Sequence, residues 1–545
     1  MEISLQLIRN SSFRWFNQLI VKMLDCLSEW ILAAGILTLI AYLIGTWTHS
    51  YFYKINVFHL KPVPFFGNMA PVVLGRLSFP DFINDLYKRL EGHKYGGVYE
   101  FLNPVIMIRD PELLKNVTVK DFEFFLNHRN PFSEEVEPLF GKGLFNLQGQ
   151  KWKDMRSTLS PAFTSSKMKT MFTLITECGE QLGDFLKTCI KDKNMPVEGC
   201  KIEREGDMLV VEMKDLFTRY TNDVIATSAF GIGCDSLNKP KNEFYEMGRD
   251  ITNFGGVRSL IFFGYLMSPR LMKLLKIRFM SNYAMNFFRS LVHGTMATRE
   301  AKDIYRPDMI QLLMQAKKET LQLNGNASKP KWDDDDLTAQ AVFFFFAGFD
   351  TASTLLCFAS HLLATHPDVQ SRLQKEIDEK LEKDGGKLTY EAVHSMKYLD
   401  MVVSEVLRLY PPAVFSDRKC IKTYTIQSDA SCTIQPGQGL WIPVYAFHHD
   451  PKYFPNPEKF DPERFSDENK DNLKPYTYLP FGLGPRSCIG NRFALMEAKI
   501  ALVHLLTRFN LKVVSKTPIP IQITKKGFNM TVDGGFWLGL EQRAT

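Results

Sequence analysis

Cys488 is the residue of this sequence best placed to do chemistry. It lies in Phe481-Gly482-Leu483-Gly484-Pro485-Arg486-Ser487-Cys488-Ile489-Gly490. Three glycines and a proline in so short a string force a tight backbone with few Cβ atoms. From Asn491 through Ala494, Glu497 and Ala498 the pattern turns helical, which puts Cys488 at a loop-to-helix junction. Backbone N–H groups go unpaired at such a junction, and the positive dipole end favours a thiolate. N–H donors aimed at the sulfur would also tune a metal bound to it. Arg486, two residues earlier, offers fixed positive charge to a carboxylate. A cysteine in a glycine-rich turn is, on its own, most often a free buried thiol; the whole string is far more restrictive.

Three other groups of residues carry chemical potential. Ala347-Gly348-Phe349-Asp350-Thr351 follows four phenylalanines, Phe343 to Phe346, in an apolar helical stretch. A mid-helix glycine costs about 1 kcal/mol against alanine, and an unpaired buried aspartate costs several more. A polar insertion there wants a reason. Glu405 and Arg408 stand at i and i+3, so they share a helix face and can pair; Asp461-Pro462-Glu463-Arg464-Phe465 lies between them and the cysteine loop. Trp152 and Arg156 are at i and i+4 of another helical stretch. Each of these is common by chance when taken singly.

The elements that must hold these groups are mostly helical. Residues 80–125 mix short β-like runs with helical pieces, and 150–410 is largely helical. The spacing predicts one long helix over Thr338–His366, buried on every side at Val342–Phe346. Asp333–Asp336 just ahead of it suit a helix N-terminus. Residues 410–480 look irregular, and short strands follow 510. The class is mainly α with a smaller β part. The 545 residues are 45% hydrophobic, enough for one large core, and no linker or repeat splits them. A net charge of +6 without a concentrated basic face argues against nucleic acid. Nine cysteines without a CxxC pair give neither a disulfide framework nor zinc spacing.

Trp30–Trp47 is uncharged, and eighteen helical residues span about 27 Å, close to a bilayer's hydrocarbon thickness. Trp30, Trp47 and Tyr51 suit its two interfaces. Arg9, Arg14 and Lys22 before the span are offset by Asp25 and Glu29, and Lys54 and Lys61 follow, so charge does not orient the full chain. Read from Met23, the leading flank is acidic and the body falls on the cytoplasmic side. Asn10-Ser11-Ser12 is a sequon close to the span. The division is 1–29 extension, 30–50 anchor, 51–70 hinge and 71–545 catalytic body, with Leu60–Gly67 a stiff, proline-fixed linker.

Phe481–Gly490 resembles the haem-ligand signature of the cytochrome P-450 family, Phe-x-x-Gly-x-Arg-x-Cys-x-Gly, at every fixed position, and the resemblance extends over nearly the whole chain. It implies the P-450 fold and haem b (iron protoporphyrin IX) with Cys488 as axial ligand, in a loop that includes Phe481 and Arg486. It also implies that Trp152 and Arg156 bond a propionate, that Glu405, Arg408 and Arg464 form a structural triad, and that Asp350 and Thr351 relay protons. Many relatives carry a propionate-binding Arg near Phe415; here the nearby arginine is Arg418. The implied activity is O2-dependent monooxygenation of lipophilic molecules, such as xenobiotics or endogenous lipids and hormones, at the endoplasmic reticulum membrane. Electrons would come from NADPH through a separate flavin reductase, sometimes with cytochrome b5, and Lys151, Lys153, Arg492 and Lys499 are candidates for steering it. The pattern is most similar to insect microsomal members that oxidise xenobiotics. A same-fold haem isomerase or dehydratase that does not use O2, and a non-catalytic haem protein, stay open. Substrate contacts are expected from 127–145, 250–267, 339–351, 412–418 and 528–531. Ile261–Met267, with Phe262 and Phe263, followed by Arg270, Lys273, Lys276 and Arg278, is expected to form a second membrane contact.

Overall fold

A computed structural model describes residues 2–192, 199–206, 208–322, 332–427, 431–528 and 530–543. Met1 and Asn529 fall outside these residues, as do the side chains of Arg9, Asn10, Ser11, Ser12, Arg14 and Asp25. The helices that bear on the site are, in chain order, α1 (Glu2–Thr46), α2 (Gly149–Leu159), α3 (Ser165–Lys191), α4 (Met213–Ile225), α5 (Glu243–Thr252), α6 (Val257–Met267), α7 (Pro269–Leu274), α8 (Asn282–Lys302), α9 (Asp334–Thr365), α10 (Lys397–Leu409) and α11 (Asn491–Leu506). The fold is mainly α with a smaller β part.

Helix α9 begins four residues before the expected Thr338, because Asp333 and Asp336 close a capping box: the Asp336 N–H donates to Asp333 Oδ1 at 2.6 Å and the Asp333 N–H to Asp336 Oδ2 at 2.9 Å. Three of the four aspartates thus lie inside the first turn. The N-terminal half of α9, Leu337 to Phe349, packs in a cluster with α2, α5 and α8. Its C-terminal half, Leu355 to Ala364, packs in another with α3, α10 and α11. Burial on every side holds over Leu337–Val342 and Ala352–Ala364 but not over the expected Val342–Phe346, where Phe343, Phe344 and Phe346 are only partly buried. Ala347 and Thr351 are exposed, one turn apart, in the middle of this largely buried helix. Gly348 lies beside them, where a Cβ would stand 2.7 Å from Ile225 Cδ1 of α4. The close crossing of α4 is a packing reason for this glycine.

Strands β1 (Tyr95–Glu100), β2 (Asn103–Ile108), β5 (Ser416–Lys419) and β8 (Gly439–Ile442) make a sheet in the order β1-β2-β8-β5. Strands β3 (Ile202–Glu205), β4 (Met208–Glu212), β9 (Phe509–Lys512) and β10 (Trp537–Gln542) make another, ordered β3-β4-β10-β9, and β6 (Tyr424–Ile426) pairs with β7 (Cys432–Ile434). The first sheet carries β5 and Arg418 toward the cysteine loop.

Helix α1 runs through the expected 29/30 boundary without a break, since no proline or glycine interrupts it before Gly35. Every residue from Leu27 to Ile40 is exposed. The segment after it is not an extended linker. Val63 and Gly67 exchange two backbone bonds of 2.8 Å in a tight turn, and Asn68 exchanges two with Tyr99 of β1, at 2.7 and 2.8 Å. Gly67 has φ +58°, and a Cβ there would collide with the Tyr99 and Phe101 carbonyls. The Phe65 N–H donates to Gly45 O at 3.0 Å and its ring covers Gly45, so the end of α1 is docked on the body.

Candidate active site

The cysteine loop is shaped by two glycines at positive φ, Gly482 (+71°) and Gly484 (+69°); a Cβ on Gly484 would run into the Thr118 carbonyl. The Cys488 N–H donates to Phe481 O at 2.8 Å, which closes the loop. Cys488 itself is exposed, although the loop is packed into the body. Although the sulfur is accessible, the protein packed around it pushes the Cys488 thiol up by desolvation, and the opposing pull of the Gly490 N–H and the Arg156 charge is smaller.

Beside the loop three arginines converge. Arg486 stacks 4.0 Å over the Trp152 ring and donates only to carbonyls among the described residues: Leu126 at 2.8 Å, Leu147 at 2.7 Å, Phe145 at 3.2 Å and Leu144 at 3.4 Å. Arg156, one turn after Trp152 on α2, donates to Ser487 O at 2.9 Å. Arg418 is buried, donates to Asp417 O at 2.7 Å, and has no partner for its Nε among the described residues. Burial, with the charges of Arg418 and Arg156, pushes Arg486 down to about 8, and burial pushes Arg418 down to about 10. A guanidinium keeps its proton in a protein, so Arg418 and Arg486 are buried charges, and neither bonds a carboxylate among the described residues. The one nearby carboxylate, Asp417, is taken up elsewhere. Burial would push it up, but bonds from His128 Nδ1 (2.9 Å) and the Arg129 N–H (2.8 Å) hold it well below the usual carboxylate range. His128 is stacked 4.0 Å from Phe145 and pushed down to about 4 by burial and by Arg418. His128 and Asp417 fall in two segments expected to contact substrate, but their pairing was not legible, since no informative spacing links them.

Behind the loop, Glu405 and Arg408 are fully buried and joined by two bonds of 2.7 and 2.8 Å. Arg464 Nε reaches Glu405 Oε1 at 3.3 Å, and the Asp461 N–H donates to it at 3.0 Å. Arg408 also ties down the His448 and Pro457 carbonyls, at 2.8 and 2.7 Å. On α9, the Thr351 hydroxyl donates to Ala347 O at 2.6 Å. Asp350 is not unpaired: Lys214 Nζ of α4 lies 2.8 Å from its Oδ1.

A family model for cytochrome P450 matches residues 59–538. The chain is 71% identical over 527 residues to Cytochrome P450 9e2 of Blattella germanica, spanning 95% of this chain and 99% of that one. It is 43% identical over 508 residues to Probable cytochrome P450 9f2 of Drosophila melanogaster, spanning 91% and 95%. It is 37% identical over 499 residues to Cytochrome P450 6j1 of Blattella germanica, spanning 92% and 95%.

The chain belongs to the cytochrome P450 family. At the level of that family it is a haem-thiolate monooxygenase, and a haem iron is its cofactor. The residues present fit the group. A P450 haem brings two propionates and a metal cation; the chain offers a cluster of arginines without an anion and an accessible sulfur. A metal cation also removes a coordinating thiol's proton outright, which answers the upward push that burial exerts on Cys488.

Over the exposed face of α9 the P450 body is lined with aromatic rings. Phe346 meets Phe140 at 5.2 Å and Phe254 at 6.0 Å between ring centroids; Phe262 meets Phe528 at 4.9 Å and Phe132 at 6.3 Å. These rings come from four of the five segments expected to contact substrate. Two expectations about the surface change. Phe262 and Phe263 turn inward, Phe263 packing on Phe101 at 5.9 Å and Phe528 at 5.2 Å. The exposed apolar residues of α6 and α7 are instead Val257, Leu260, Met267, Leu271 and Leu274, and Lys273 is paired with Glu135 at 2.7 Å. Of the partner-steering candidates, Lys499 is buried against Asp400, while Lys153 is paired with Glu123 at 2.8 Å and Lys151 with Glu134 at 3.7 Å. Arg492 is exposed beside the Ser165 hydroxyl.

Proposed function

We propose that this P450 is a membrane-bound monooxygenase of lipophilic small molecules, with Cys488 as the thiolate ligand of its haem iron. The observation that carries the reading is an accessible Cys488 in a loop beside Arg156, Arg418 and Arg486, which bond no carboxylate side chain among the described residues, together with the exposed Ala347 and Thr351 of α9. Arg156, Arg418 and Arg486 would hold the propionates, and Trp152 would support Arg486 from below. Thiolate-ligated haem, when bound, supplies the activation of O2. The chain's own work is to bind, exclude water and deliver protons. The phenylalanines around Phe346 would desolvate an apolar substrate and keep bulk water from the reaction. Asp350 and Thr351 would pass protons inward from solvent. Glu405, Arg408 and Arg464 would keep residues 448–461 packed behind the loop.

Electrons would come from NADPH through a separate flavin reductase, with cytochrome b5 as an accessory donor, docking where Arg492 and the exposed Lys120, next to the cysteine loop, are free to meet acidic groups. Residues 30–50 would anchor the protein in the endoplasmic reticulum membrane, with the body of residues 71–545 on the cytoplasmic side. The docked end of α1, the turn at Gly67, Phe101 and the α6 patch form one chain of contacts, which supports a single membrane-facing side and substrate entry from lipid. The similarity to insect P450s makes xenobiotics the first substrates to try.

The test is the difference spectrum of the reduced protein with carbon monoxide. The strongly red-shifted Soret band of thiolate ligation is expected for the parent protein and should be lost in Cys488→Ser and Cys488→His. Retention in either variant removes Cys488 as ligand. NADPH consumption matched by product, on adding the reductase, then separates monooxygenation from O2-independent chemistry.

A further inference from the structure

The Lys214 ammonium reaches from α4 into a single turn of α9 and meets four oxygens there. They are Asp350 Oδ1 at 2.8 Å, Thr354 Oγ1 at 2.8 Å, Ser353 Oγ at 2.9 Å and Asp350 O at 3.2 Å. An ammonium has three protons, so the three short bonds take them and the carbonyl shares one. The base of Lys214 is fixed in turn. Glu212 caps α4, accepting from the Lys214 and Asp215 N–H groups at 3.3 and 3.0 Å and from the Phe536 N–H of the neighbouring segment at 2.9 Å. Seven residues along α4, on the same face, the Thr221 hydroxyl donates to Phe349 O at 2.9 Å. Two polar grips therefore bracket the residue before Asp350 and Asp350 itself, and Ile225 presses on Gly348 from the same helix.

This is more than two packed helices need. An apolar contact between α4 and α9 would cost no desolvated charge, whereas a lysine ordered by four partners gives up most of its rotamer freedom. What the arrangement secures is the direction of one carboxylate. Both partners are part-exposed, Lys214 by 20% and Asp350 by 27%, so water reaches the pair, while the next residue, Thr351, is exposed in the middle of α9.

We propose that Lys214 is a positioning residue for proton delivery, holding the Asp350 carboxylate in one rotamer as the outer station of a path that leads through Thr351. A proton from water adds to Asp350 and passes to the Thr351 oxygen; the hydroxyl's own proton leaves toward the reacting oxygen, and the carboxylate is restored. The inference rests on the reading of Asp350 and Thr351 as a relay.

The experiment compares Lys214→Met, Lys214→Arg, Asp350→Asn, Thr351→Ala and the double variant Lys214→Met/Asp350→Asn in the full-length holoenzyme with reductase and a lipophilic alkoxycoumarin. The ratio of product to NADPH is read with hydrogen peroxide, the substrate-binding spectral titration and the urea midpoint. Lys214→Met should lower the ratio roughly tenfold, within the 10²-fold that a misplacement of about 1 Å costs. Peroxide should rise and substrate affinity should stay unchanged. Lys214→Arg should restore most of the ratio, and the double variant should match Asp350→Asn in both ratio and urea midpoint. If Lys214→Met leaves the ratio unchanged while Asp350→Asn and Thr351→Ala lower it, the relay stands and the role of Lys214 is refuted. Additive losses in the double variant, or no rescue by arginine, make Lys214 a purely structural tie and also overturn the proposal. If Asp350→Asn and Thr351→Ala leave coupling intact, the relay itself fails, and Lys214 with it. Should Lys214→Met lose the carbon monoxide band, Lys214→Gln, which keeps two N–H donors, serves the same comparison.

Discussion

Gly348 offers a direct test of whether the crossing of α4 and α9 shapes the middle of the catalytic helix. Its missing side chain leaves room for Ile225: a Cβ would stand 2.7 Å from Ile225 Cδ1 and 3.3 Å from Cγ1, with no other neighbour within 4 Å. Gly348→Ala gains about 1 kcal/mol of helix propensity and loses about 1–3 kcal/mol to overpacking in a filled core. The net expectation is a destabilisation between zero and about 2 kcal/mol. Ile225→Val removes the clashing Cδ1 and costs about 0.5–1.5 kcal/mol alone. In the double variant the clash is gone and the propensity gain remains, so it should be at least as stable as Ile225→Val, a favourable coupling of about 1–3 kcal/mol. Urea unfolding of the holoenzyme, followed by far-UV circular dichroism, gives the four midpoints. If Ile225→Val brings no relief to Gly348→Ala, the close crossing is not why glycine stands there, and the reason must lie in the cavity instead. Gly484→Ala is the contrast: its Cβ meets a backbone carbonyl at positive φ, so no single second substitution should relieve it.

Arg408→Leu should cost about 3–5 kcal/mol, because it leaves the Glu405 carboxylate buried without its main partner. Arg464→Leu, at a longer and partly exposed contact, should cost distinctly less, and equal losses in urea midpoint and haem retention would overturn this ranking. Burial holds His128, His361, His449 and His504 down to about 4. The unfolded chain therefore binds more protons between pH 6.5 and 4, and stability must fall as pH drops through that window, by about 2 kcal/mol per histidine at pH 5. The slope of urea midpoint against pH should flatten in His504→Gln; an unchanged slope would show that this histidine is not held neutral. For a protein lacking residues 1–50, binding to anionic vesicles in a flotation assay should weaken on Leu260→Ser/Leu271→Ser/Leu274→Ser and stay nearly unchanged on Phe262→Ser/Phe263→Ser, since the leucines are exposed and those rings are not. The reverse ranking would show that the patch lies elsewhere.

What could be read from the sequence was local. The glycines around Cys488 and the i, i+3 and i, i+4 spacings of Glu405–Arg408 and Trp152–Arg156 depend on turn geometry and helix periodicity, which act over a few residues. The long apolar helix was visible for the same reason, though not its capping box, because a run of four aspartates does not reveal which of them closes the first turn. Everything that depended on which distant surfaces meet was decided by tertiary structure. Lys214 and Asp350 are 136 residues apart, and His128 and Asp417 are 289 apart; no spacing rule links such pairs. An apolar run such as Ile261–Met267 announces burial or a membrane, but only its packing against Phe101, Phe132 and Phe528 determined that its phenylalanines turn in, while Leu260, Leu271 and Leu274 on either side stay exposed. Lys499 looked like a surface charge until the packing of α11 buried it on Asp400. The state of the Cys488 sulfur belongs with these. A helix dipole is a local property, but desolvation is set by the whole surrounding fold, and here it outweighs the local pull.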